Sequence, residues 1–157
     1  MKKKILFVCL GNICRSPAAQ AIFESFVKEA GMDDQYEIDS AGLYGGHAGE
    51  LPDHRMRVHA NARGYILTHR SRQFKTTDFE DFDMIIGMDD YNISSLKSLA
   101  PTVEDERKIY RMTDFVKAFP QYDAVPDPYY EGSSGFELVL DLLEDGCRNL
   151  LEKTSQL

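Results

Sequence analysis

The sequence contains few cysteines and no long apolar segment. Only three of its 157 residues are cysteine, an odd number, and Cys9 and Cys14 lie in the same short segment. A framework of structural disulfide bonds is therefore not expected, which favours a reducing, cytoplasmic location. No apolar run approaches the roughly 20 residues of a membrane-spanning helix, so membrane insertion is not expected. The basic and apolar stretch from Met1 to Val8 is too short for a signal peptide, and no small-residue cleavage site follows it.

Basic residues are also scarce relative to acidic ones. Lys and Arg number 18 against 26 Asp and Glu, which gives a formal net charge of −8 at pH 7. Nucleic-acid-binding proteins normally present a basic surface, so this composition argues against a nucleic-acid partner. Any anionic substrate would have to be held by local positive potential against the overall field of the protein. Such a substrate would require a focused anion site.

Short apolar runs alternate with longer helical patterns along the chain. Strands are expected at 5–8, 36–39, 84–88 and 109–112. Helices are expected at 17–31, with Ser16 as N-cap and Pro17 in the first helical position, and at 52–62, 90–99 and 136–153. This alternation predicts an α/β fold: a single three-layer domain over residues 1–157, with a parallel sheet covered by helices on both faces. Cys147 lies on the apolar face of the last helix and is interpreted as core packing only.

The segment from Val8 to Pro17 joins a buried strand, a tight loop and the start of a helix. Backbone N–H groups of such a loop converge, and the helix behind it adds a partial positive charge. Gly11 and Asn12 tolerate the positive φ that closes the loop around an anion. Arg15 adds a planar fork of donors that matches two phosphate oxygens. The pattern predicts a phosphate-binding loop formed by Leu10, Gly11, Asn12, Ile13, Cys14, Arg15 and Ser16.

Cys9 is expected at the floor of this loop. Helix N-termini and neighbouring cations favour the reactive thiolate form of cysteine, and Ser16 is placed to donate a hydrogen bond to the sulfur. The predicted chemistry is nucleophilic, through a phosphocysteine intermediate. A cysteine after a strand is commonly a small buried residue, but the Gly-Asn pair and the Ser-Pro helix start favour an anion-binding loop.

No cofactor or metal is expected. The loop lacks the second Gly and the Gly-Lys-Ser/Thr ending of the Walker nucleotide-binding loop. His54 and His59 are separated by about 140° around a helix and cannot chelate a metal from one face. Asp89 and Asp90 follow a strand and are interpreted as a helix cap in preference to metal ligands.

The segment from Val8 to Pro17 resembles the signature of the low-molecular-weight protein tyrosine phosphatases. Residues 39–42, 69–72, 82–89 and 126–130 resemble further family segments, in the family's order and across almost the whole chain. The resemblance implies a four-stranded parallel sheet in the order 2-1-3-4 and a two-step hydrolysis without metal. It also implies a monomer that acts on tyrosine-phosphorylated proteins and on small aryl phosphates, with inorganic phosphate as product and inhibitor.

The resemblance identifies Asp127 as the general acid. From the residues alone, Asp127 between Pro126 and Pro128 is more simply interpreted as an Asp-Pro turn. A tyrosyl leaving group, whose conjugate acid has a pKa of about 10, needs a proton donor, and such help contributes about 10²–10⁴-fold. The same carboxylate would then activate water for hydrolysis of the phosphocysteine.

Other residues are assigned to the walls and the support of the loop. Tyr129 and Tyr130 are expected to border the entrance, with Ile13 and Leu10 on the loop side. Many bacterial members carry an aromatic residue before His47, where this chain has Gly46, so Tyr44 is a possible substitute wall and the peptide preference stays open. The resemblance implies that a set of polar side chains holds the loop in shape. This set comprises Asn12, Ser16, Ser40 and His69, with Arg72 and Asp89 in a similar role.

Cys14 lies beside Cys9 in sequence. Two interpretations stay open for it: packing behind the loop, or a reversible disulfide with Cys9 that protects the nucleophile from over-oxidation. Family members with this cysteine pair resemble the second layout.

Three other activities use similar loops. A thioredoxin-coupled arsenate reductase needs additional thiols to pass electrons outward, and none occurs between Cys14 and Cys147. A phosphoarginine phosphatase is a nearer alternative, because that subgroup resembles this chain closely. Its members have Thr at the position of Ile13, where a hydroxyl would suit a guanidinium. Ile13 therefore favours an aromatic substrate. A cysteine phosphocarrier domain of a sugar transport system is not a hydrolase and needs no acid, so Arg15 and Asp127 argue against it. A non-catalytic phosphotyrosine-binding module would need neither nucleophile nor acid.

Overall fold

The computed structural model describes residues 1–156, built around one parallel sheet. Its strands are β1 (Lys3–Cys9), β2 (Tyr36–Gly42), β3 (Met84–Gly87) and β4 (Ile109–Arg111). They pair in the order β2-β1-β3-β4, and all three pairings are parallel. The predicted α/β fold and strand order are confirmed.

Helices cover both faces of this sheet. They are α1 (Arg15–Glu29), α2 (His54–Ala62), α3 (Asp78–Asp81), α4 (Asp90–Leu99), α5 (Val103–Glu106) and α6 (Ser133–Ser155). Alternate residues of β1 point to opposite faces. Ile5 and Phe7 pack with side chains of α1, α2 and α6, whereas Leu6 and Val8 pack with side chains of α3 and α4. The two apolar clusters give the predicted three layers.

Aromatic packing fixes α1 against the sheet. The rings of Phe7 and Phe23 meet edge to face with centroids 5.8 Å apart, and Phe23 meets Tyr36 in the same way at 5.5 Å. Both phenylalanines are fully buried, and each such burial stabilises the fold by about 1.5–3 kcal/mol. This packing aims the N-terminus of α1 at the end of β1.

Several helix boundaries differ from the sequence prediction. Helix α1 begins at Arg15 with Cys14 in the N-cap position, so the predictions of Ser16 as N-cap and of Pro17 as the first helical residue are wrong. The hydroxyl of Ser16 lies against Cys9 instead. Helix α2 begins at His54, after its N-cap Asp53. The last helix begins at Ser133, one turn before the predicted Phe136.

The phosphate-binding loop follows β1 and is held against the segment after β2. Leu43 N–H donates to the carbonyl of Cys9 (3.1 Å), and Tyr44 N–H donates to that of Leu10 (2.8 Å). A Cβ atom at Gly42 would lie 2.9 Å from the carbonyl carbon of Gly11, so the close approach requires glycine. Among residues 1–156, no helix combines the length and apolar composition needed to cross a bilayer.

Candidate active site

A cavity of about 270 Å³ opens at the carboxyl end of β1. Parallel sheets place ligand sites at this edge. The cavity gathers the three residues predicted to be catalytic together with all the residues predicted to form its walls. Its lining consists of Cys9, Leu10, Gly11, Ile13, Cys14, Arg15, Tyr44, His47, Asp127, Tyr129 and Tyr130.

The Cys9 sulfur lies at the floor of this cavity and receives hydrogen bonds from Ser16. Ser16 Oγ is 3.0 Å from Cys9 Sγ, and Ser16 N–H points at the same sulfur from 3.4 Å. Asn12 Nδ2 donates to Ser16 Oγ at 2.7 Å. A Cys9 thiolate has no hydrogen to donate, so in that state the Ser16 hydroxyl is the donor and the sulfur accepts. The arrangement stabilises negative charge on Cys9.

Asn12 is the centre of the network that shapes the loop. Its φ is 56°, the left-handed region, which Asn tolerates better than most residues. Its Nδ2 donates to Ser16 and Ser40, and its Oδ1 accepts from His69 Nε2 and from the backbone N–H of Arg72, each at 3.1 Å. The buried amide therefore has all its hydrogen-bonding positions occupied.

His69 and Arg72 connect this network to β2 and α3. The Arg72 guanidinium donates to both carboxylate oxygens of Asp78 at 3.0 Å and to Asp39 at 3.0 Å. Burial lowers the pKa of His69, and the charge of Arg72 lowers it further, although Asp39, at 3.5 Å from His69 Nδ1, opposes the shift. The backbone of Ser40 also opposes the shift. The lowered pKa favours the neutral imidazole, and because the amide oxygen of Asn12 can only accept, Nε2 of His69 is the donor in their hydrogen bond.

Arg15 is buried, and one nitrogen of its guanidinium is fixed by two hydrogen bonds. Nη1 donates to Asp89 Oδ2 at 2.6 Å and to the carbonyl of Val125 at 3.0 Å. Burial alone would lower the pKa of Arg15, but the negative charges of Cys9, Asp89 and Asp127 raise it above its ordinary value. Arg15 is therefore a permanent cation. Its Nη2 faces the cavity side, 3.8 Å from Asp127 Oδ2.

Asp127 lies at the mouth of the cavity, with its side chain 43% exposed. Its Oδ1 accepts a hydrogen bond from the backbone N–H of Tyr129 at 3.0 Å, which orients the carboxyl group. Oδ2 faces Arg15. Asp127 and Cys9 line the same cavity.

Aromatic side chains form the outer walls. The rings of Tyr129 and Tyr130 meet edge to face with centroids 5.0 Å apart. On the opposite rim, Tyr44 meets the ring of His47 edge to face at 5.8 Å, and His47 Nδ1 pairs with Glu50 at 2.9 Å. Tyr44 therefore lies at the rim that Gly46 leaves without an aromatic side chain.

The other two cysteines have different surroundings. Cys14 lines the same cavity as Cys9, and burial, together with the charges of Asp53 and Cys9, raises the pKa of its thiol well above the ordinary range. Burial has the same effect on the pKa of Cys147, whose sulfur lies 3.7 Å from the carbonyl of Ala19 in the core. Both groups are protonated thiols at neutral pH.

Several residues at the site escaped the sequence interpretation. Gln20 Oε1 accepts a hydrogen bond from Ser40 at 2.6 Å, and Ser71 Oγ donates to the carbonyl of Gly11 at 3.1 Å. Arg55 stacks on Tyr129 near the mouth. Gln20 lies one helical turn after Ser16, on the same face of α1, which is a usable signal. Among residues 1–156, no group of three or more His, Cys, Asp or Glu side chains is arranged to hold a metal ion.

The chain was compared with known proteins. A family model described as low molecular weight phosphotyrosine protein phosphatase matches residues 4–156. A low molecular weight protein-tyrosine-phosphatase of Streptomyces coelicolor is 40% identical over 152 residues, covering 96% of this chain and 93% of the relative.

Solved structures agree with these matches. A protein tyrosine phosphatase of Entamoeba histolytica, crystallised with Hepes in the active site, superposes with a TM-score of 0.95 at 42% identity, covering 99% of this chain and 98% of the other. The Drosophila arginine phosphatase DARP superposes with a TM-score of 0.88 at 31% identity over 98% of each chain. The chain belongs to the low molecular weight phosphotyrosine protein phosphatase family.

Proposed function

We propose that this protein hydrolyses phosphotyrosine in proteins through a phosphocysteine intermediate, with Cys9 as nucleophile, Arg15 as phosphate clamp and Asp127 as general acid. The principal support is that these three side chains surround one cavity, with the Cys9 sulfur hydrogen-bonded by Ser16 and Arg15 kept cationic. The predicted enzyme class agrees with the family match.

In the first step the Cys9 thiolate attacks phosphorus, an S–P bond forms, and the bond to the tyrosyl oxygen breaks. Asp127 transfers its proton to that oxygen, so tyrosine leaves as a neutral phenol. Arg15 and the loop N–H groups bind the three non-bridging oxygens, where negative charge is spread in the transition state.

In the second step the Asp127 carboxylate accepts a proton from a water molecule, whose oxygen attacks phosphorus. The S–P bond breaks, inorganic phosphate is released, and the sulfur departs as a thiolate. Ser16, whose hydroxyl is the donor to a Cys9 thiolate, stabilises this departing charge. Phosphate is expected to inhibit because it occupies the same loop as the substrate.

The lining of the cavity favours an aromatic substrate. Ile13 contributes an apolar side chain on the loop side, and Tyr129 and Tyr130 contribute ring faces on the other. An aromatic ring between such walls gains both apolar burial and stacking. Phosphoarginine is the second candidate because a similar structure is named an arginine phosphatase.

The cellular setting is part of the proposal. We place the protein in the cytoplasm as a monomer that acts on tyrosine-phosphorylated proteins. Cys14 lines the same cavity as Cys9, and condensation of its thiol with a sulfenic acid formed on Cys9 by an oxidant such as peroxide would give a disulfide and water. Mass spectrometry after mild peroxide is expected to find a 9–14 linkage, and sulfinic acid at Cys9 without that linkage would contradict this part.

Hydrolysis of an aryl phosphate in the presence of a chelator tests the proposal. Activity is expected to disappear in Cys9→Ser and in Arg15→Ala. Asp127→Ala should reduce kcat by about 10²–10⁴-fold while substrate binding persists. Asp123→Ala, an exposed aspartate in the same segment but outside the cavity lining, is the matched control and should retain full activity.

Phosphopeptides distinguish phosphotyrosine from phosphoarginine as the substrate. A phosphotyrosine peptide is expected to be a better substrate than the matching phosphoarginine peptide, and Ile13→Thr should shift the ratio toward phosphoarginine. A wild-type preference for phosphoarginine would reassign the substrate, and full activity in Asp127→Ala would remove that residue as the acid.

A further inference from the structure

Arg55 lies between two parts of the site whose relative position matters for proton transfer. One part is the phosphate-binding loop, residues 10–16, with Cys9 at its floor. The other is the segment 125–130, here called the acid loop because it contains Asp127. Arg55, in the first turn of α2, contacts residues attached to both.

Asp53 attaches Arg55 to the phosphate-binding loop. The backbone N–H of Asp53 donates to the carbonyl of Ile13 at 2.7 Å. The Arg55 guanidinium forms a two-point pair with the Asp53 carboxylate, Nε to Oδ1 at 3.1 Å and Nη2 to Oδ2 at 3.0 Å. Burial alone would raise the pKa of Asp53, but the hydrogen bonds and charge of Arg55 lower it. The carboxylate therefore stays ionised and fixes the plane of the guanidinium.

Aromatic contacts attach Arg55 to the acid loop. Its guanidinium carbon is 5.3 Å from the ring centroid of Tyr129 and 5.0 Å from that of Phe136 in α6. Phe136 is buried and stacks on His59 of α2 at 5.5 Å, so it is a rigid backing. The backbone N–H of Tyr129 is the group that orients the Asp127 carboxyl. Support of the Tyr129 ring is therefore support of the acid.

A hydrogen bond and an ion pair between the two loops both involve Arg15, the proposed phosphate clamp. Arg15 donates to the carbonyl of Val125 and faces Asp127. A phosphate ester entering the loop competes with Asp127 for the Arg15 guanidinium. The contacts of Arg55 with Asp53, Tyr129 and Phe136 do not involve the Arg15 guanidinium.

We propose that Arg55 is a positioning residue that holds the acid loop against the phosphate-binding loop through Asp53 and Tyr129. The inference rests on the proposed function, because it concerns transfer of the Asp127 proton. Loss of Arg55 leaves Cys9 and Arg15 in place but broadens the range of positions that Asp127 occupies. The step that suffers is proton donation to the leaving oxygen, so poor leaving groups are affected most.

Two aryl phosphates distinguish this role from a merely structural one. Phenyl phosphate releases a phenol with a pKa of about 10 and needs the acid, whereas 4-nitrophenyl phosphate releases a more acidic phenol and needs it less. In Arg55→Ala we expect kcat/KM to fall about 10-fold for phenyl phosphate and less than about 3-fold for 4-nitrophenyl phosphate. Arg55→Lys, which retains the charge but not the planar fork, should be intermediate.

A double-mutant cycle with Asp127→Asn connects the effect to the acid. Once the acid is absent, Arg55→Ala should no longer lower kcat/KM selectively for phenyl phosphate. Arg63→Ala is the matched control: Arg63 also joins α2 to α6, through Glu137, Asp141 and Glu144, and lies outside the cavity lining. This variant should lower the unfolding midpoint without changing the ratio of the two rates.

The outcomes test the positioning role of Arg55 separately from the phosphatase activity. Equal losses for both substrates in Arg55→Ala, or a selective loss that persists in Asp127→Asn, would overturn the positioning role and leave the phosphatase assignment intact. Absence of aryl phosphate hydrolysis in the wild type would overturn the function itself, and activity in Cys9→Ser would remove Cys9 as the nucleophile. If Arg55→Ala does not fold, Arg55→Gln retains the aliphatic stem and gives the same two readouts.

Discussion

Asn12 combines a backbone conformation and a set of side-chain contacts that few residues supply together. Its φ of 56° costs most residues about 1–2 kcal/mol. Its amide gives one hydrogen bond to each of two serine hydroxyls and accepts two more. One of those serines is Ser16, so the amide helps to hold the Ser16 hydroxyl against the Cys9 sulfur. The reactivity of Cys9 thus depends on a residue that does not touch the cavity.

Substitution of Asn12 separates these two roles. We expect Asn12→Ala to lower the free energy of unfolding by about 2–4 kcal/mol, because it adds backbone strain and leaves buried polar groups without partners. Asn12→Gly should be more stable than Asn12→Ala by about 1 kcal/mol, since glycine adopts positive φ freely. Both variants should lose kcat/KM by at least about 10²-fold.

Urea unfolding and steady-state kinetics on the two Asn12 variants check this prediction. Wild-type activity in Asn12→Gly would show that only the backbone conformation matters and that the hydrogen bond from the Asn12 amide to Ser16 does not.

The residues of the site differ in how readily they can be predicted from the sequence. Cys9, Arg15 and Ser16 lie in one contiguous segment, so a linear motif was enough to bring them together, and their catalytic roles stay predictions. Asp127 was identified only by family resemblance, because its tripeptide also fits an ordinary turn. Arg55 was missed because its significance depends on the ring of Tyr129, far away in sequence.

At the scale of elements, Asp89 joins helix α4 to Arg15. Its Oδ1 accepts from the backbone N–H of Asn92 and caps the helix, and its Oδ2 accepts from Arg15. The expected cap is confirmed. Because the cap fixes Asp89, the position of the Arg15 guanidinium depends on where α4 begins.

Asp89 variants distinguish capping from clamping. Asp89→Asn retains an oxygen for the cap but loses the charge that faces Arg15, whereas Asp89→Ala loses both. We expect kcat/KM to fall at least about 10-fold in each, with a further loss of about 1 kcal/mol in unfolding free energy only in Asp89→Ala. Thr102→Ala removes the cap of α5, away from the cavity, and should lower stability without changing activity. Wild-type kinetics in Asp89→Asn would contradict the clamping role.

Elements with strong periodic patterns were predicted well. The buried strands β1 and β3 and helix α4 fall where the apolar runs and turn residues indicated. Helix α1 begins earlier than predicted because its first turn is part of the loop that surrounds the anion site, where Ser16 bonds Cys9 instead of capping the helix. The four-residue helices α3 and α5 were missed because so few residues show no period.

At the scale of the whole molecule, the local charge of the site is opposite in sign to the net charge of the protein. The net charge is −8, yet the cavity contains the buried cation Arg15 and lies at the N-terminus of α1. Short-range donors dominate there because they contact the anion directly, whereas the distant carboxylates are screened over a Debye length of about 8 Å at physiological salt. Local geometry, not composition, permits phosphate binding.

The hydrogen-bond network of Asn12 and His69 also makes the stability of the fold depend on pH. The folded pKa of His69 is lowered, first by burial and then by Arg72, against the opposing charge of Asp39. As the pH falls below about 6.5, the unfolded chain takes up a proton at this residue before the folded protein does. Stability from the neutral imidazole is therefore complete above that pH and is lost as the pH falls toward the folded pKa, by at most about 1.4 kcal/mol per pH unit.

Urea unfolding of the wild type and of His69→Gln between pH 7.5 and pH 5.5 measures this loss. The glutamine side chain would retain an amide N–H for Asn12 but does not titrate, so the wild type should lose more stability than the variant over this range. The comparison cancels other groups, including Glu24, whose pKa is raised by burial and whose contribution has the opposite sign. Parallel curves for the two proteins would mean that His69 binds its proton equally in the folded and unfolded states, and the neutral donor to Asn12 would have to be abandoned.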